Sequence, residues 1–207
     1  MKKIIGLVVL LAAAGVAYSF MKKDKAAADA YQVGDVVDDF ALKNIDGETL
    51  SMASYEDAKG FVLVFTCNTC PYSQMYEQRL IDMDQKHSAN GWQVIAINPN
   101  DPDVRPGDSF EAMQARAKEY GYTFPYLFDD GQEVYPKWGA SRTPHVFLVE
   151  KTAKGNVLQY IGAIDDSARD ASKVTVNYVD DAISALEAGN APEVTFTKAI
   201  GCSIKTK

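Results

Sequence analysis

The stretch that decides the fold is Gly60-Phe61-Val62-Leu63-Val64-Phe65-Thr66-Cys67-Asn68-Thr69-Cys70-Pro71-Tyr72. Five apolar residues, Phe61 to Phe65, follow Gly60 without interruption; the run is too short for a helix and rich in β-branched and aromatic side chains. It predicts a strand buried on both faces, as in a parallel sheet. Beyond it, Pro71 opens a segment to about Lys86 in which Met75, Leu80 and Met83 alternate with Gln, Glu and Arg. That pattern predicts a helix with one apolar face and proline in its first turn. The pair Cys67-x-x-Cys70 sits at the junction of the two.

Working outward, Trp92 to Ile97 predicts a second buried strand stopped at Asn98-Pro99, and Phe110 to Tyr120 a helix capped by Asp108 or Ser109 and ended by Gly121. Upstream, Asp46-Gly47 between Phe40-Ala41-Leu42 and Glu48-Thr49-Leu50 predicts a β-hairpin. Downstream come a short apolar stretch at Phe124–Phe128, a helical turn at Val134–Trp138, strands at Val146–Val149 and Val157–Ile164 around a Lys154-Gly155-Asn156 turn, and a last helix from Val174 to Ala188. Strands alternating with helices require right-handed parallel crossovers, and the late hairpin adds an antiparallel part. The expected fold class is α/β: a mixed central sheet flanked by helices, with an N-terminal hairpin extension.

The chain divides at about residue 30. Lys2 and Lys3 precede an uncharged run from Ile4 to Phe20, closed by Lys22, Lys23 and Lys25. This reads as a cleaved signal peptide or an uncleaved N-terminal membrane anchor, with the lysines before Ala26-Ala27-Ala28 weighing toward the anchor. Either way residues 31–207 are expected outside the cytoplasm, in the periplasm or cell envelope. The leader holds five Lys and two acidic residues; the remainder therefore keeps 16 basic and 26 acidic side chains, a net charge of −10. Nucleic acid and anionic membrane surfaces are disfavoured as partners, and contact with the membrane is expected only through the leader.

Three cysteines, Cys67, Cys70 and Cys202, are too few for a disulfide framework. A helix N-terminus presents free N–H groups and partial positive charge, which favour a thiolate, and the thiolate is the nucleophile. The placement therefore predicts a depressed pKa for Cys67, with Asn68 and Thr69 as side-chain donors to the sulfur. Haem attachment needs His after the second Cys, and Pro71 stands there. A structural zinc site lacks a second pair of ligands. Thr143-Pro144 falls before a strand, where a cis proline could pack on the dithiol and offer backbone to an extended substrate. An ordinary trans proline is the alternative. Arg142 is a candidate cation near the sulfurs, His145 a candidate neighbour of the dithiol, and His87 a structural residue near a helix C-terminus.

These residues make the chain resemble the thioredoxin-fold redoxins, and more closely the peroxiredoxin-like thioredoxin-family proteins of alkyl hydroperoxide reductase and thiol-specific antioxidant type. The resemblance runs through Gly34-Asp35, Asp39-Phe40-Ala41-Leu42, Phe65 to Tyr72, Ala96-Ile97-Asn98, Asn100-Asp101, Asp108-Ser109, Tyr120-Gly121-Tyr122, Phe124 to Leu127, Thr143-Pro144, Ile164-Asp165-Asp166 and the tail Ile200 to Lys205. It implies a thioredoxin fold, a cis peptide before Pro144, and Cys70 in the position of a peroxiredoxin's peroxide-attacking cysteine. Cys67 stands where a peroxiredoxin carries Thr or Ser. Arg142 replaces a cysteine that many relatives carry before Thr-Pro, and Thr206 a terminal aromatic.

The expected activity is thiol–disulfide exchange on protein or small-molecule thiols, with Cys67 attacking and Cys70 resolving. Peroxide reduction at Cys70 is the alternative. A copper chaperone using both thiolates and His145 is a third reading, weakened by two rather than three residues between the cysteines. Thiol exchange requires neither metal nor organic cofactor. Thr66, Asn68, Thr69, Pro71, Arg142, Thr143 and Pro144 are the supporting site residues, and Cys202 is a candidate third redox thiol or a buried thiol in a docked tail.

Overall fold

A computed structural model describes residues 30–207, so the leader and its readings lie outside the described residues. The strand expected at Phe61 runs Gly60–Phe65 and every residue in it is buried. We number the strands β1 (Leu42–Asn44), β2 (Thr49–Leu50), β3 (Gly60–Phe65), β4 (Trp92–Asn98), β5 (Tyr126–Phe128), β6 (Arg142–Thr143), β7 (His145–Thr152), β8 (Gly155–Gly162) and β9 (Cys202–Ser203), and the helices α1 (Pro71–His87), α2 (Phe110–Tyr120), α3 (Val134–Trp138) and α4 (Tyr178–Glu187).

Seven strands form one sheet in the order β2-β1-β5-β4-β3-β7-β8, and β6 pairs with β9 in a separate ribbon. β3, β4 and β5 are parallel, which the crossover helices α1 and α2 require. β7 and β8 form the antiparallel part, and β1–β2 is the expected N-terminal hairpin.

Alternation along β3 explains the two-sided core. Val62 and Val64 face a cluster with Tyr76, Leu80 and Met83 of α1, Met113 of α2 and Val179 and Ile183 of α4. Phe61, Leu63 and Phe65 face the other side, against Ile95, Phe147, Met52 and Trp138 of α3. Among the described residues, no helix is long and apolar enough to cross a membrane.

The start of the last helix differs from expectation, and the cap of α2 is resolved between its two candidates. The last helix begins at Tyr178, four residues after Val174. The Asp166 carboxylate accepts from the Thr175 N–H at 2.9 Å, and its own N–H donates to the Val176 carbonyl. Those bonds hold residues 174–176 in a loop conformation. Of the two cap candidates for α2, Ser109 is the cap, its Oγ accepting from Ala112 N–H; Asp108 turns inward instead.

Candidate active site

β3 ends at Phe65, Thr66 is buried with its N–H on the Ile97 carbonyl, and Cys70 is the N-cap of α1 with extended backbone. Pro71 is the first helical residue, where its missing N–H costs nothing. The loop between is held by a residue that the sequence reading took only for a cap. Asp108, fully buried, accepts from the Asn68 and Thr69 N–H groups at 2.8 and 3.0 Å and from Thr69 Oγ1 at 2.8 Å. Asn100 Nδ2 adds a fourth bond at 2.7 Å, and Asn98 Nδ2 donates to the Asp108 carbonyl. Asn68 donates its amide to Gly107 and accepts from the Tyr126 hydroxyl. Both side chains expected to donate to sulfur are therefore committed to the scaffold. The available sequence signal was polar Asn98 at the end of a buried strand, with Asn100 and Asp108 in the loop that follows.

The three cysteines meet in space. Cys70 Sγ lies 2.7 Å from Cys202 Sγ and 3.0 Å from the Thr143 carbonyl oxygen; Cys67 precedes it by three residues on the same loop. Cys67 Sγ lies 3.3 Å from Thr143 Oγ1. All three are free thiols. The Thr143–Pro144 peptide is cis, as the resemblance implies, and both the hydroxyl and the carbonyl of Thr143 face the dithiol.

The shift at Cys67 runs against the expected direction: its pairing with Cys70, its burial and the Asp108 charge push the Cys67 thiol up, while Cys70 is brought down to about 4. The Cys67 thiol acts first on Cys70; the Cys202 thiol and the N–H groups of Ser73 and Cys202 act with it, against the cost of burial. The physical reason is position: Cys70 caps the helix, whereas Cys67 lies a turn before it and next to a carboxylate. Cys202 is raised to about 11 by burial and by its bond to and charge from Cys70, with Lys205 and Arg105 pulling it down.

The other expected neighbours fall elsewhere. Arg142 is exposed and its guanidinium donates to the Gly201 carbonyl at 3.4 Å; the cations that act on a site sulfur are Lys205 and Arg105. His145 is buried, its Nδ1 accepting from Ser141 N–H and its ring against Phe147. Among the described residues it makes no hydrogen bond to a sulfur, and burial lowers its pKa to about 4. His87 bonds Asp180 at 2.7 Å and ties α1 to α4, a structural role.

The family model described as AhpC/TSA family matches residues 33–159. The chain belongs to the AhpC/TSA family. It is thereby an oxidoreductase of the thiol–disulfide or peroxiredoxin-like kind. A protein named thiol-disulfide oxidoreductase ResA from Geobacillus thermodenitrificans is 28% identical over 72% of this chain and 79% of its own length. Peroxiredoxin Q of Triticum aestivum is 27% identical over 51% of this chain and 45% of its own length. The crystal structure of an uncharacterized conserved protein from Geobacillus kaustophilus superposes with a TM-score of 0.79 at 32% identity, covering 86% of this chain and 94% of that one.

Proposed function

We propose that the protein is an exported thiol–disulfide oxidoreductase whose working group is the Cys67–Cys70 dithiol. The observation that carries this reading is the junction itself: two cysteines at a strand-to-helix turn, facing a cis-proline loop, with Cys70 at the helix cap. Cys70 opens the exchange by attacking a substrate disulfide, which forms a mixed disulfide and releases one substrate thiolate. Cys67, once deprotonated, attacks Cys70 Sγ and releases the second substrate thiol as the Cys67–Cys70 disulfide forms. The Thr143 hydroxyl favours that second step by donating to Cys67. The reverse sequence oxidises a substrate dithiol. The relative named ResA supports this reading, as does the charge pattern of the leader for export, as a cleaved signal or an anchor.

The test is trapping. A Cys67→Ser/Cys202→Ser variant treated with a disulfide-bonded model protein should accumulate a mixed disulfide through Cys70. Capture only through Cys67, in Cys70→Ser, would reverse the assignment; capture through neither would remove the function.

Peroxide reduction is the second reading. The Cys70 thiolate stands in the position that the family resemblance gives to the peroxide-attacking cysteine. A hydrogen peroxide pulse that yields a Cys70 sulfenate and turnover lost in Cys70→Ser would favour it.

A further inference from the structure

The tail closes over the dithiol by β-pairing. Strand β9 is antiparallel to β6, with Thr143 opposite Cys202 and Arg142 opposite Ser203. β6 is the segment that leads into the cis proline, the edge an extended substrate would use in this type of site. Gly201 makes the approach feasible: a Cβ there would stand 2.1 Å from the Thr143 carbonyl oxygen and 2.6 Å from its carbon. Further along, Lys205 N–H donates to Asn100 Oδ1 at 2.8 Å, and the Lys205 carbonyl accepts from the Asp101 N–H and Gln132 Nε2. Asn100 also holds Asp108, so one carboxamide joins the tail to the dithiol loop. Cys70 stands between two sulfurs, Cys67 on its own loop and Cys202 on the tail.

We propose that Gly201–Lys205 is a tethered substrate strand that fills the docking edge at Arg142–Thr143 and offers Cys202 to the dithiol as a substrate cysteine, so that oxidised protein carries a Cys70–Cys202 disulfide in exchange with Cys67–Cys70. This rests on the exchange function proposed for the dithiol and deepens it. The Cys202 thiolate attacks Cys70 Sγ of the Cys67–Cys70 disulfide. The Cys70–Cys202 bond forms, the Cys67–Cys70 bond breaks, and the electron pair leaves on Cys67, which takes up the proton that Cys202 gave up. Nothing is oxidised or reduced overall, so no further oxidant is needed. Burial and then the Cys70 sulfur hold the Cys202 thiol protonated in the reduced protein; once Cys70 is in a disulfide its share is gone, burial remains, and Lys205 and Arg105 favour the Cys202 thiolate. The external partner is accordingly an extended cysteine-bearing segment that competes with the tail for the same edge.

The full-length protein is oxidised with glutathione disulfide, its remaining thiols are blocked, and the disulfides are mapped after trypsin. Wild type and Cys67→Ser should yield peptide Gly60–Arg79 joined to Ala199–Lys205, and Cys70→Ser should not. Gly201→Ala should lift the tail while keeping all three cysteines in the chain. The cross-link should then fall, and the dithiol's reaction with glutathione disulfide should rise roughly tenfold, the shift that follows from losing about one hydrogen bond's net contribution to docking. Lys205→Pro, which deletes the N–H that Asn100 accepts, is the second opener if Gly201→Ala folds poorly. A Cys67–Cys70 disulfide with Cys202 free in wild type, and no cross-link in Cys67→Ser, overturns the proposal and leaves the exchange function standing. A dithiol that never exchanges removes the function itself.

Discussion

Asn100 Nδ2 donates to Asp108 Oδ2 at 2.7 Å, and both side chains are buried. Asp108 is thereby a carboxylate with four donors on it, two of them the backbone of the dithiol loop. Asp108→Asn replaces an acceptor oxygen with an NH2 that faces other donors, so at least one buried N–H loses its partner. The expected cost is about 2 kcal/mol, read as a lower denaturation midpoint at unchanged slope. The same change removes a charge that raises Cys67, so alkylation of Cys67 should speed up as the loop loosens.

Acid should act on the reduced protein through Cys70. Its thiol ionises near 4 when folded against 9.0 for the ordinary group. Between those values the unfolded chain holds a proton that the folded protein has lost, so stability rises with pH across the window. The contribution is complete at about pH 9 and gone as pH falls through about 4. Buried His145 acts in the same direction between about 4 and 6.5, but in both redox states. The stability difference between reduced and oxidised protein should therefore fall with acid below pH 9, and in Cys70→Ser, which cannot form the disulfide, the slope of the reduced protein alone should shrink to the part that His145 contributes. The raised Cys67 and Cys202 thiols oppose it only at higher pH, where the unfolded chain would ionise them. A flat difference across pH 5–8 would contradict the thiolate assignment.

What was legible in the sequence was local. Five apolar residues after Gly60 can only be satisfied by a strand covered on both faces, and Asp46-Gly47 fixes its hairpin by turn chemistry. Pro71 likewise marks the start of α1. The division of labour at the dithiol was not legible, because it depends on contacts from Thr143 and Cys202 and on a carboxylate 40 residues away from Asn68. The meeting of Cys70 and Cys202 spans 132 positions and rests on a two-residue strand too short to have any periodicity. Asp108-Ser109 shows how a correct motif hides a role: either residue satisfies a helix N-terminus, so the sequence could not say which one is free to turn inward.

A largely buried ion pair fixes α1 from outside the site. Arg79 donates to Asp165 at 2.6 Å and to the Ser167 and Ala168 carbonyls, and lies over the Tyr76 ring; the Tyr76 hydroxyl donates to the same carboxylate. Arg79→Ala leaves Asp165 buried without its cation and should cost about 3 kcal/mol. Arg79→Lys should recover little, since a point charge cannot reach the carboxylate and two carbonyls together. Chemical denaturation of the two variants beside wild type checks both statements.

Thr143→Val separates the two cysteines kinetically. The buried Thr143 hydroxyl lies 3.3 Å from Cys67 Sγ and favours its ionisation, whereas Cys70 meets the Thr143 carbonyl, which the substitution keeps. Removing the hydroxyl pushes the Cys67 thiol further up and leaves the Cys70 anion with its donors. The pH midpoint of Cys70 alkylation in the reduced variant should therefore stay in place. The second step of exchange, in which Cys67 must become a nucleophile, should slow by roughly tenfold, one hydrogen bond to a developing charge. Mixed disulfide should then build up in Thr143→Val/Cys202→Ser even with Cys67 present. A shift of the Cys70 midpoint without such accumulation would mean that Thr143 serves Cys70, and that Cys67 is deprotonated by some other group.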